Sequence, residues 1–181
     1  MSFTGSWLLV LNVVIASSVY NQLSHVTSYR GISDYHSNKM LITRRAIKEL
    51  HAQLNFTQLR FHCSKRHPGR TFHVVTTTNS SNDAVVRYFS GRTDVRPVSC
   101  GSFERMKDDN SRLATRCGEW ELGKWSTENR YQDRLYNHVA YKSYGWHWIL
   151  YDTSYSSPPR FDCDDELTAV SPGDFWNVFV R

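Results

Sequence analysis

Four cysteines, Cys63, Cys100, Cys117 and Cys163, follow an apolar N-terminal run, and this pairing constrains the chain more than any other feature. The run from Trp7 to Ala16, WLLVLNVVIA, has the length of a signal-peptide apolar region and is too short to cross a bilayer, which takes about 20 residues. Ala16, Ser17 and Ser18 supply the small residues a signal peptidase prefers, so residues 1–18 read as a leader cleaved near Ser18. No Lys or Arg precedes the run; the alternative reading is a buried N-terminal strand or helix. Export would place the cysteines where disulfides persist. No later segment is long and apolar enough for a membrane anchor. The expectation is therefore a secreted, extracellular chain.

An even number of cysteines in such a chain implies two disulfides, with three possible connectivities. Cys100 and Cys117 bound a polar, loop-like segment, and Cys63 and Cys163 lie near the two ends of the cysteine-bearing region. The preferred pairing is Cys63–Cys163 with Cys100–Cys117. Zinc is a poor alternative: there is no C-x-x-C, and the close Cys/His spacings at Cys63 do not fit a closed structural site. Asn79 and Asn55 head N-x-[ST] sequons, Asn79 within a polar stretch suited to carrying a glycan.

The hydrophobic pattern divides the rest. Residues 19–56 read as an N-terminal extension. Within it, Ile47, Leu50 and Leu54 recur at helical spacing opposite Lys39, Arg44, Arg45 and Lys48, which predicts one amphipathic helix over about 39–54. From residue 57 to 181 the pattern becomes short β-prone runs broken by turn residues. The runs are 59–64, 71–78, 84–90, 120–125, 135–143, 146–151, 160–164 and 175–180, with 84–90 expected to form a hairpin with 71–78. Aromatic residues make up 14% of the chain and favour pleated structure. The predicted fold is mainly β: an antiparallel sandwich or barrel-like domain preceded by the one amphipathic helix.

Several long runs resemble a family. RFHCSKRHPGRTFHVVTTTNSSNDAVVRYFSG (60–91), SCGSFERMKDDNSRLATRC (99–117), GKW (123–125), RFDCDDE (160–166) and PGDFWNVFVR (172–181) resemble a cysteine-containing domain of cnidarian secreted proteins. They are similar to the C-terminal part of uncharacterised skeletal organic matrix proteins of stony corals. The resemblance spans about 58–181 and implies secretion, a matrix setting and the cysteine framework. It implies no activity and no catalytic residues. The apple-like or EGF-like modules that precede this domain in such proteins have no counterpart here, since residues 19–56 contain no cysteine.

Charge and aromatic content suggest ligands. The net charge is +5, but residues 148–181 hold six acidic and two basic residues, so the basic excess lies in the earlier part of the chain. For an exported protein such a surface points to anionic glycans or matrix polymers rather than nucleic acid. Lys65, Arg66 and Arg70 cluster at the first turn of the β region. Trp146 and Trp148 share one face of a strand and are candidates for stacking on sugar rings. Asp162, Asp164 and Asp165 around Cys163, with Asp108 and Asp109 between the other two cysteines, are candidate oxygen ligands for calcium. No nucleophile, metalloprotease or phosphate-loop motif occurs. The expected role is non-catalytic: binding or matrix assembly, or lectin-like glycan recognition assisted by calcium, with no other cofactor expected.

Overall fold

The computed structural model describes residues 6–17, 22–128, 133–151 and 159–181. In chain order these form β1 (Leu8–Val14), β2 (Ser24–Val26), β3 (Lys39–Ile42), helix α1 (Arg44–Leu54), β4 (Leu59–Lys65) and β5 (Arg70–Thr76). Helix α2 (Ser80–Phe89), β6 (Phe103–Arg105), the short helix α3 (Arg112–Thr115), β7 (Ala140–Lys142), β8 (Trp146–Tyr151), β9 (Arg160–Asp165) and β10 (Phe175–Val180) follow. Seven strands form one sheet in the order β2-β3-β1-β10-β4-β5-β6, and β7-β8-β9 form a second. Every pairing is antiparallel except β2 with β3. Among the described residues neither sheet closes on itself, so the barrel alternative is set aside.

The apolar run at the N-terminus stands in the middle of the larger sheet. β1 pairs with β10 on one side and β3 on the other, and Val10, Leu11 and Val13 are at most 1% exposed. This is a different placement from the leader expected over residues 1–18; the expected cleavage position at Ser18 lies outside the described residues. A short run of apolar, β-branched residues suits a peptidase substrate and a doubly covered strand equally well, and composition does not separate the two. The extension expected over 19–56 is likewise part of the fold, contributing β2, β3 and α1.

The amphipathic segment is helical only from Arg44. Met40, Leu41 and Ile42 are consecutive apolar residues, all 0% exposed, and a strand with both faces covered accommodates such a run. Thr43 then caps α1, its side chain accepting from the Ala46 N–H, and Asn55 ends the helix in the left-handed conformation. Ile47 and Leu50 point into the core, while Leu54 in the last turn is exposed.

The run 84–90 is not a strand but most of α2. Asn79 accepts from the Asn82 N–H as its N-cap, and Asn82, Val85, Val86 and Phe89 are buried at helical spacing. The capping signal in NSSND outweighs the β preference of two valines and a tyrosine. β5 pairs instead with β6. The run 120–125 also departs from expectation, forming tight turns with Leu122 at φ 57°. Trp120 and Trp125 are both buried, with ring centroids 4.9 Å apart. Five positions apart, they would point to opposite faces of a strand, so the chain must curl to bury both. Of the run 135–143 only Ala140–Lys142 is strand, because Leu135, Tyr136 and Val139 are buried in a turn.

Both cysteine pairs are disulfides, with the preferred connectivity. Cys63 on β4 joins Cys163 on β9, and Cys100 joins Cys117. The first ties the two sheets together across 100 residues of sequence. Closing a loop of that length removes about 4 to 5 kcal/mol of chain entropy from the unfolded state in the simplest account. Around it Trp148 of the smaller sheet meets Phe61 and Phe72 of the larger, both at 5.8 Å between ring centroids. No helix of the described residues is long and apolar enough to cross a membrane.

Candidate functional site

Lys65, Arg66 and Arg70, expected to present charge at the β4–β5 turn, take different positions. Lys65 falls on the inward parity of β4 with Leu59, Phe61 and Cys63, and its side chain is 0% exposed. Its Nζ donates to Asp165 Oδ2 at 2.6 Å, Thr168 O at 2.8 Å and Phe161 O at 2.9 Å, so all three ammonium protons are used. It is a structural residue rather than a surface ligand. Arg66 is exposed beside the Gly173 turn, and Arg70 lies 3.8 Å from Asp164 with Nη1 donating to Asn110 O.

The acidic candidates are engaged with protein groups. Asp162 pairs with Arg160 and accepts from Leu167 N–H at 2.9 Å. Asp164 accepts from Arg112 and Leu113 N–H at 2.8 and 2.7 Å, holding the start of α3. Asp165 takes Lys65 and the Cys163 N–H. Burial raises all three carboxyls above the usual range, while these cations and N–H groups oppose the shift. Asp109 is buried and accepts from His73 N–H, Ser111 Oγ and Arg105 Nε. Asp109 and Asp164 come near enough to feel each other's charge, but both already serve as structural acceptors.

Trp146 and Trp148 share a strand face, but only one is accessible. Trp148 is 0% exposed in the core, which removes it as a stacking platform. Trp146 lies at the start of β8 and is half-buried. Lys142 Nζ is 4.4 Å from its ring centroid, and the guanidinium carbons of Arg112 and Arg116 are each 5.3 Å from it. Lys142 comes from the paired strand β7, and Arg112 and Arg116 from α3 and its C-terminal cap. Glu119 is the carboxylate in range, 3.2 Å from Lys142 and 3.5 Å from Arg116. Tyr144, at the turn between β7 and β8, is 94% exposed. Arg112, Arg116 and Lys142 carry no signal in the sequence, because only the fold brings them to Trp146. The sequon residues Asn55 and Asn79 are both exposed.

A second cluster lies on the outer face of β4 and β5. His62 and His73 are cross-strand partners with rings stacked at 3.7 Å, and Phe175 meets His62 edge-on. His73 Nδ1 is 2.5 Å from Asp108 Oδ1, and Arg60 Nε donates to His73 Nε2 at 2.7 Å. His62 Nε2 is 3.5 Å from Asp108 Oδ2. An arginine can only donate, so His73 is neutral, with its proton on Nδ1 and directed at Asp108.

Burial lowers the pKa of His62 to about 4, with His73 adding to the shift and Asp108 opposing it. His147, buried in β8, is lowered to about 4 by burial and Arg160, against Glu166. Both folded values lie below the unfolded value near 6.5, so their contribution is complete above about pH 6.5. It is lost as pH falls toward 4, where the unfolded chain takes up protons that the folded chain refuses. The loss is on the order of 3 kcal/mol per histidine. Urea unfolding should therefore show a lower stability at pH 4.5 than at pH 7, and His147→Gln should shrink that difference. A pH-independent stability over this range would refute the assignment.

No protein family, curated protein or solved structure matches this chain.

Proposed function

We propose that this chain is an extracellular, disulfide-stabilised β-sandwich domain that binds acidic glycans on the face around Trp146, in a matrix or cell-surface setting. The observation that carries this reading is the convergence of Lys142, Arg112 and Arg116 on one half-exposed tryptophan ring. A sulfated or uronic-acid sugar offers anionic groups to the cations and an apolar C–H face to the exposed aromatic surface of Trp146 and Tyr144. Among the described residues Glu119 is the carboxylate paired with Arg116 and Lys142, which leaves net positive charge for a ligand. The two disulfides support the extracellular setting. The matrix setting rests on the sequence resemblance. No catalytic step is assigned.

The test is retention on an immobilised sulfated polysaccharide against a neutral glucan of similar size. The expected result is salt-sensitive retention on the sulfated matrix only, as screened charge attraction requires. Trp146→Ala and Arg116→Ser should each weaken binding about three- to tenfold without altering the thermal transition, the scale of one cation–π contact. Equal affinity of these variants and the parent chain would overturn the reading.

A further inference from the structure

We propose that His62, His73 and Asp108 form a binding site for a divalent first-row transition ion of the zinc type. The three residues each present a ligand atom, and these atoms lie within 4.8 Å of one another. Two strands and a turn hold them. β4 and β5 pair in register so that His62 and His73 stand directly opposite on the same face, and the turn after β6 carries Asp108 over them. Two imidazoles and one carboxylate form a donor set that suits zinc and its neighbours; calcium and magnesium prefer all-oxygen ligands. Three protein ligands leave a coordination position for water.

The surroundings add a separate observation. Asn177 on β10 is the partner of His62 on its other side, so it occupies the same face of the sheet. Its Oδ1 is buried and has no hydrogen-bond partner. A water on the metal would supply the donor that this oxygen lacks. Asp108, with a side chain 56% exposed, and His62, at 17%, leave a path for the ion from solvent.

Binding through His73 Nδ1 has a consequence for Arg60. The imidazole proton must move to Nε2, which then cannot accept from the Arg60 guanidinium. Losing that bond would still leave Arg60 its contact with Phe179, whose ring centroid lies 4.9 Å from the guanidinium. Arg60 is thus a competitor for the site, a role that a chance pair of surface histidines would not give it. Replacing it with glutamine provides an oxygen that can accept from the Nε2–H.

The experiment uses the full chain with both disulfides intact, stripped with chelator and titrated with zinc alone by calorimetry, then with cobalt alone by visible absorption. One equivalent of zinc should bind, and cobalt should give a d–d band. His62→Asn and Asp108→Asn, both at partly exposed positions, should each weaken zinc at least about tenfold. Arg60→Gln should tighten it. Calcium should neither bind nor compete. Thermal unfolding of each variant without metal establishes that the fold is kept. Absence of zinc binding, or binding unchanged in the His62 and Asp108 variants, would overturn the site. Unchanged or weaker binding in Arg60→Gln would overturn coordination through His73 Nδ1.

Discussion

A chain beginning at Val19 should lose cooperative folding. The change removes β1 from between β10 and β3, and with it the buried side chains of Val10, Leu11 and Val13. Burying a side chain of this kind is worth about 1.5 to 3 kcal/mol, so the three together approach the 5 to 15 kcal/mol that stabilises a typical domain. The loss does not stop there. β10 is left with one edge unpaired, β3 and β2 lose their link to the rest of the sheet, and the backbone bonds between Ile15 and residues 173–174 disappear. An open edge of this kind also invites aggregation. The comparison is between the full chain and the chain from Val19, both oxidised, by near-ultraviolet circular dichroism and thermal unfolding. The shorter chain should show no sigmoidal transition. If it unfolds at the same temperature as the full chain, Leu8–Val14 is dispensable to the fold and the leader reading of residues 1–18 prevails.

Lys65→Met should destabilise the protein by about 3 to 5 kcal/mol, the cost of leaving a buried charge without its partner. Asp165 is buried among groups arranged for its ionised form, and Lys65 is the cation that neutralises it. For a domain of this size the change corresponds to a fall in the melting temperature of roughly 6 to 20 °C. The methionine fills much of the lysine stem's space, so packing loss is a small part of the effect. The double variant Lys65→Met/Asp165→Leu should recover a large share of the loss, because no charge is then stranded, although the carbonyls of Phe161 and Thr168 still lack their donor. Urea unfolding of the parent, both single variants and the double variant gives the coupling directly. A double variant no more stable than the singles combined would show that the charge pair is not the source of the effect.

These two cases also show where the sequence could be read and where it could not. β4, β5, β8, β9 and β10 lie within a residue or two of the expected runs: β4 and β10 alternate buried and partly exposed residues with period two, while β8 and β9, buried on both faces, are apolar or mixed runs delimited by turn residues. The hairpin of β4 and β5 was legible as far as its turn. Once Lys65 pairs with Arg70, three steps along each strand bring His62 opposite His73. The histidine pair thus follows from the register of this hairpin. Asp108 was not, because it reaches that pair through the chain's return by way of β6.

Local chemistry decided the plausibility of the cysteine pairing and the strands with a clear inside and outside, β4 and β10. Tertiary structure decided everything that depends on what covers a residue. The run 84–90 became a helix because Val85, Val86 and Phe89 had a core to face and Asn79 to start them. Lys65 became an internal ion-pair partner because strand parity turned it inward toward Asp165. Trp146 and Trp148, equivalent in the sequence, were separated into a cation-lined surface ring and a core residue by the position of the larger sheet beneath β8. A sequence states which groups prefer to leave water. Whether a given group can do so is set by neighbours that are distant along the chain, and those neighbours exist only in the folded molecule.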